Sequence, residues 1–331
     1  MDPIDFLAVG DIVTEPFIKL GVAETHCDKG AAHCTICLAW GDKIPYESAT
    51  LVAAVGNASN AAVAAARLGL KSALHAYVGD DRYGPECLEV LAREGVSTEY
   101  MVTEPGKKTN YHYVLWYGNE RTILVKHEAF TYEVPKLTVQ PKWLYLSSLA
   151  GNSLPYHLAL VEMLDRMPDT KLAFQPGTFQ MQLGVEALKP LYEKTALFFC
   201  NREEAARILG LDEIPEMAAL LDGIHALGPE TVVITDGTNG AYALENGKRL
   251  TIPMYPDSRG PYERTGAGDA FASTVVCGLA YGGPLERALL WGPINAMAVV
   301  QEIGAQKGLL SHAALAHYLE IAPPEYRATE F

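Results

Sequence analysis

The chain has 331 residues, 49% hydrophobic and 20% charged, enough apolar material for one large domain with an appendage or two moderate domains. Its 26 Lys and Arg against 40 Asp and Glu give a formal charge of −14, which excludes the basic face that a phosphate backbone requires. No apolar run approaches the roughly 18 residues of a spanning helix, and MDPIDFLAVG lacks the basic start and long apolar stretch of a secretory leader. A cytoplasmic protein is therefore expected, with neither nucleic acid nor membrane as partner.

In chain order, FLAVGDIV (6–13) reads as a buried strand that opens into a functional loop at Gly10-Asp11. The next forty residues carry three cysteines and no long helical period, and read as an excursion from the main sheet. From residue 57 the chain alternates. NASNAAVAAARLGL (57–70) predicts an Ala-rich helix stopped at Gly69, SALHAYVG (72–79) a strand, and GPECLEVLAREG (84–95) a helix stopped at Gly95. A second excursion follows at 109–130, with two aromatic and β-branched runs around Gly118-Asn119, a hairpin signal. Alternation resumes with KWLYLSS, a helix over 155–166, KLAFQP, ALFFC, helices over 201–209 and 215–227, and TVVITDG (231–237). YALENGKRLTI (242–252) is a hairpin turned at Asn246-Gly247, and the remainder is mostly helical. Such alternation implies a mainly parallel sheet with helical crossovers, and without a polar linker it implies a single domain, 1–331, whose excursions at about 14–54 and 107–130 form a small β lid.

The stretch TGAGD (265–269) places two glycines and an acid against an apolar helix. Backbone N–H groups at such a helix start converge on an anion. An acid there repels a phosphate unless it takes a proton from a nucleophile attacking that phosphate, so the juxtaposition points to phosphoryl transfer. The plainer alternative is an acid that complements the helix dipole. A dinucleotide fingerprint is ruled out because Phe271 stands where the third glycine belongs, and EPGKKTN (104–110) lacks the glycine and hydroxyl of a phosphate-binding P-loop.

Taken together, VGNASNAAVAAARLG (55–69) and RTGAGDAF (264–271) resemble the two signature regions of the ribokinase-like (PfkB) family of carbohydrate and nucleoside kinases. VGDDRYG (78–84), NREEA (201–205), VVITDGTNGAY (232–242) and IGAQKGLL (303–310) follow in the family's order. The resemblance implies a ribokinase-like three-layer α/β/α body with a small β-sheet lid, ATP and Mg²⁺ as donor and cofactor, and a sugar or nucleoside as acceptor. By position it implies that Asp269 is the catalytic base and that Gly266, Ala267 and Gly268 form the anion hole. Gly56, Asn57 and Asn60 match acceptor-binding positions, although Asn57 also reads as a helix N-cap. Glu15 falls at the hydroxyl-binding acid, with Asp11 as competitor. Asn201 and Glu204 would order the Mg²⁺ shell, or simply form an Asn version of the capping box. Thr235 and Gly237 match the nucleotide loop, and Arg264 is read as meeting a nucleotide phosphate. Glu263-Arg264 stand where the family has Asp-Thr, which leaves potassium (K⁺) dependence open, and Asn295 receives no adenine-side role because Pro293 takes the matching place.

Two features fall outside the family pattern. THCDKGAAHCTIC (25–37) offers Cys27, Cys34 and Cys37 with His26 or His33 as a structural Zn²⁺ set, the alternative being free thiols on an irregular loop. Cys87, Cys200 and Cys277 read as buried thiols. Alternation puts Tyr111 and Tyr113 on one strand face, either stacked on the acceptor or part of the lid core or of a homodimer interface. The expected activity is transfer of the γ-phosphate of ATP to a hydroxymethyl group of a pentose or hexose. The alternatives are an adenosine-type nucleoside kinase and a catalytically silent binding regulator.

Overall fold

Short apolar runs bounded by glycine and polar residues form the strands of one nine-stranded sheet. The computed structural model describes residues 3–27, 34–118 and 120–331. Across the sheet the order is Ser72–His75, Phe6–Val9, Trp143–Leu146, Lys171–Phe174, Leu197–Asn201, Thr231–Thr235, Ala241–Glu245, Lys248–Ile252, Thr329–Glu330. The first six are mutually parallel and the last three antiparallel. Parallel strands must be apolar on both faces because helices cover both, and Phe6–Val9 and Trp143–Leu146 are buried at every position.

One face carries the helices Asn57–Arg67, Ala267–Ala280 and Leu285–Val299, and the other Leu154–Asp165, Val185–Glu193, Arg202–Ile208 and Met217–His225. This is the three-layer α/β/α body. Alanines 58, 61, 62, 64 and 65 are fully buried. Such small side chains let Asn57–Arg67 lie close to Ala267–Ala280, and that approach brings the signature regions together.

A second sheet runs in the order Glu120–Leu124, Tyr113–Tyr117, Val13–Leu20, Tyr46–Val55, with Asn110–Tyr111 also paired to Val13–Leu20. Its register sorts the side chains. Glu15, Phe17, Val114, Trp116, Arg121 and Ile123 share the inner face, whereas Leu51, Tyr113 and Leu124 share the outer and are exposed.

The structure departs from the sequence reading in several places. In the run 6–13 the strand ends at Gly10-Asp11 as read, but Val13 already belongs to a second strand, so the run divides between Phe6–Val9 in the large sheet and Val13–Leu20 in the small one. Gly10 makes the corner, since a Cβ there would lie 2.8 Å from Ala58 Cβ and 2.9 Å from Ser147 Oγ. Likewise 72–79 divides, and Tyr77–Gly79 pairs with Val102–Glu104. The helices Thr178–Leu183 and Val185–Glu193 were not read, the second because Pro190 interrupts its pattern.

The zinc expectation is corrected. Cys27 and Cys34 face each other in the hairpin of Glu24–Cys27 with Cys34–Cys37 and are joined by a disulfide. Their sulfurs are therefore not free to bind metal. No cluster of three or more His, Cys, Asp or Glu suited to a metal ion occurs among the described residues. His33 and Asn119 lie outside the described residues. No helix among the described residues is long and apolar enough to cross a membrane.

Cys37 is exposed while Cys87, Cys200 and Cys277 are buried, and burial pushes these three thiols up. Thiol titration of the non-reduced native protein should give one fast-reacting group, with three more on denaturation. Peptide mapping should recover the Cys27–Cys34 link. Fast labelling of Cys200 or Cys277 in the native state would contradict this burial.

Candidate active site

Asp269 lies in the first turn of Ala267–Ala280 and is 7% exposed. Three amides converge on its carboxylate. Asn57 Nδ2 donates to Oδ1 and Asn60 Nδ2 to Oδ2, each at 2.8 Å, and Gln175 Nε2 donates to Oδ1 at 3.4 Å. Helix spacing explains the first two, because positions three apart share a face. Burial raises the Asp269 carboxyl above its ordinary value, opposed by the Asn60, Asn57 and Gln175 hydrogen bonds and by the charge of Arg121. The carboxylate is thus a stronger base than one in water, yet fixed in direction.

The amides are themselves held. Tyr145 hydroxyl donates to Gln175 Oε1, which leaves the Gln175 amide nitrogen to face Asp269. Gln306 Nε2 donates to Asn60 Oδ1 at 3.1 Å and to Ala54 O at 2.7 Å. Sequence reasoning singles out neither Gln175 nor Gln306 as a partner of the site. Each partner is more than 90 residues distant in sequence, and no local signal marks such a pair.

Gly266 is the N-cap of Ala267–Ala280, with φ +82°, and a Cβ there would lie 2.3 Å from Ala305 Cβ. Gly266, Ala267, Gly268 and Asp269 line a cleft of about 320 Å³. Glu15, Gly56, Asn57, Asn60, Arg121 and Gln175 also line it, as do Asn201, Glu204, Thr235 and Arg264. Most of the expected site residues therefore share one cavity.

Asp11, Gly237, Tyr111 and Tyr113 are not among its lining residues. Asp11 is buried and accepts from Tyr132 hydroxyl at 3.1 Å. Gly237 opens a short 3₁₀ turn beyond Thr235. Tyr111 packs on Tyr83 and Tyr113, with ring centroids 4.9 and 5.2 Å away. Asn57 is not a cap: it is the first helical residue, after Gly56, and its side chain is taken by Asp269.

Asn201 and Glu204 do form the capping box. Asn201 Oδ1 accepts from Glu204 N at 2.8 Å, and Glu204 Oε2 accepts from Asn201 N at 2.9 Å. Glu204 Oε1 has no hydrogen bond among the described residues. Burial raises the Glu204 carboxyl, against the Asn201 N–H and Arg207.

Glu263 is 1% exposed and turns back on its own loop, Oε1 accepting from Thr265 N at 2.8 Å and Thr265 Oγ1 at 2.6 Å. Arg121 Nε of the small sheet is 3.8 Å from Oε1. Arg264 Nη1 donates to Glu120 Oε1 at 2.9 Å. Asn295, given no site role, bonds Thr274 Oγ1 and Leu310 N inside the helical layer.

Residues 40–312 match the family model described as pfkB family carbohydrate kinase. Among curated proteins the chain is similar to the ribokinase of Bacillus subtilis, 30% identical over 77% of this chain and 83% of that protein. It is also similar to the fructokinase of Vibrio alginolyticus, 29% identical over 72% and 81% of the two chains. Among solved structures, Arabidopsis thaliana ribokinase complexed with ribose and ATP superposes with a TM-score of 0.79 at 17% identity, covering 97% of this chain and 100% of that one. A nucleoside kinase of Methanocaldococcus jannaschii gives 0.76 at 19%, covering 96% and 98%.

Gly266→Ala and Gly268→Ala should part company. At Gly268 the nearest atom to an added Cβ is Gln175 Nε2, 3.8 Å away. Gly268→Ala should therefore melt with the parent, while Gly266→Ala, strained in backbone and overlapped by Ala305, should lose about 2 kcal/mol or more. Equal melting temperatures would refute the close packing. Raised in the fold, the Asp269 carboxyl contributes stability that is present below its ordinary value and lost as pH rises through the raised one. Asp269→Asn should accordingly melt above the parent at pH 8, with the gap closing as pH falls toward the ordinary carboxylate value. A gap that is constant with pH would remove the burial penalty from the account.

Proposed function

The chain belongs to the pfkB family of carbohydrate kinases, and from this membership we propose that it moves the γ-phosphate of ATP to a hydroxymethyl group of a pentose or hexose. The observation that carries the reading is the buried carboxylate of Asp269 beside the 266–268 backbone in one cleft. The acceptor hydroxyl gives its proton to Asp269, its oxygen bonds to the γ-phosphorus, and the bond from that phosphorus to the β-γ bridging oxygen breaks to release ADP. Backbone N–H groups of 266–268 receive the charge that develops on the transferred group.

Glu15, Gly56 and Asn60 take the acceptor end, and Thr235 with Arg264 the nucleotide end. Asn60 acts on the acceptor through its grip on Asp269, as Asn57 does. The donor set at Asn201 and Glu204 fits Mg²⁺, a hard cation that keeps several waters: Glu204 lines the cleft with one carboxylate oxygen unbonded among the described residues. When bound, Mg²⁺ would neutralise phosphate charge. Segments 14–54 and 107–130 act as a lid that keeps water from ATP. Exposed Leu51, Tyr113 and Leu124 on the outer face of the small sheet support pairing of two copies there.

A nucleoside is the second reading. It is supported by His127 and Phe179, which pack edge to face at 5.1 Å beside Asp11 and offer aromatic surface behind the acceptor end, though neither lines the cleft.

Acceptor-dependent ADP release should be measured with Mg²⁺ on D-ribose, D-fructose and adenosine. A sugar signal, with Asp269→Asn slower by about 10³-fold or more while still binding ATP, is the expected outcome. Adenosine as the sole acceptor would select the second reading. Silence with all three, despite ATP binding, would favour a non-catalytic regulator.

A further inference from the structure

Behind the acceptor end of the cleft lies a buried group of four ionisable side chains. Glu15 and Asp11 are 7% and 5% exposed, and the side chains of His112 and His127 about as little, at 10% and 8%. His112 Nδ1 is 3.2 Å from Glu15 Oε1. Because a carboxylate only accepts, Nδ1 carries the proton and donates. It is the one hydrogen bond that Glu15's side chain makes among the described residues. A carboxylate removed from water and steered by one donor has its direction set by that donor.

The imidazole is itself held in place. His112 N donates to Thr14 O at 3.2 Å, so the residue is pinned beside Glu15 along the sheet. It falls between Asn110–Tyr111 and Tyr113–Tyr117, and alternation turns its side chain away from the outward Tyr113. Its ring packs on His127 with centroids 5.1 Å apart, and His127 in turn meets Phe179 edge to face, its Nδ1 approaching Asp11 Oδ2 to 2.7 Å outside hydrogen-bond geometry. His112 Nε2 is buried without a partner, so the fold places this imidazole for its Nδ1 side, toward Glu15.

We propose that His112 is a positioning residue for acceptor recognition, fixing the Glu15 carboxylate at the cleft wall, with His127 as its backing. The proposal rests on Glu15 binding the acceptor. A merely structural role would instead lower melting temperature and leave the balance of kinetic constants alone.

The test is steady-state kinetics of Glu15→Gln, His112→Phe, His112→Asn and the Glu15→Gln/His112→Phe double variant, on whichever of D-ribose and D-fructose the parent turns over faster. His112→Phe should raise acceptor KM about tenfold, leaving KM for ATP within about twofold and kcat within about threefold. His112→Asn, whose Nδ2 takes the place of the imidazole Nδ1, should restore most of the loss. In the double variant the His112 change should add nothing to Glu15→Gln, because groups acting through one another are non-additive. An unchanged acceptor KM in folded His112→Phe, or a fully multiplicative double variant, would overturn the proposal. If His112→Phe does not fold, Asn against Gln at 112 decides: Asn near the parent with Gln impaired supports the positioning role, and equal values refute it. Should Glu15→Gln leave acceptor KM unchanged, the assignment of Glu15 itself fails, an outcome distinct from the others, and the role of His112 falls with it.

Discussion

A carboxylate kept from water and held by three amides governs the arrangement of this molecule. Taking a charge into a protein interior costs several kcal/mol unless hydrogen bonds replace those of water. At Asp269 the replacements come from Asn57, Asn60 and Gln175, which stand 212, 209 and 94 residues away in sequence. The fold must therefore press Asn57–Arg67 against Ala267–Ala280 and bring the end of Lys171–Phe174 between them. The buried alanines of the first helix and the tight corner at Gly10 serve that approach. So do the links behind them, Gln306 to Asn60 and Tyr145 to Gln175.

The sheet supplies the rest. In an open parallel sheet the loops after the strands gather at one end, and the helices that follow begin there. Gly266, the N-cap of Ala267–Ala280, and Asn201, the N-cap of Arg202–Ile208, both line the cleft. Helix N-termini carry partial positive charge. A chain of net charge −14 thus carries, without a basic surface, a cleft where two helix N-termini meet Arg121 and Arg264.

What the sequence disclosed and what it withheld follow from the range of each interaction. The capping box at Asn201 and Glu204 spans three residues and was legible, as were the glycines before Asp269 and the alternation behind the three layers. The end of the first strand at Gly10-Asp11 was legible too, but not that the chain beyond it enters a different sheet, because strand partners are set by tertiary packing. Gln175 and Gln306 escaped for the same reason that they matter: their partners are set by tertiary packing. The Cys27, Cys34, Cys37 cluster misled because spacing that suits a metal also suits a hairpin, and in this hairpin the ladder sets Cys27 opposite Cys34. Asn57 was ambiguous between cap and ligand: the cap is Gly56, and the Asn57 amide lines the cleft and donates to Asp269.

Arg121 ties the small sheet to this chemistry. Its guanidinium faces two buried acids at once: its Nε stands 3.8 Å from Glu263 Oε1, and its charge draws the Asp269 carboxyl downward against burial. Arginine suits such a place because its charge persists where other cations would give up a proton. Glu263 in turn holds the loop before Gly266 through Thr265, so the acid that fixes this loop and the buried Asp269 answer to one cation. That cation reaches them from Glu120–Leu124, whose inward alternation also presents Ile123 to the cleft. The position of the small sheet therefore sets the electrostatics at the start of Ala267–Ala280 as well as the shape of the cleft, and burial of Asp269 would go less opposed wherever that strand withdrew.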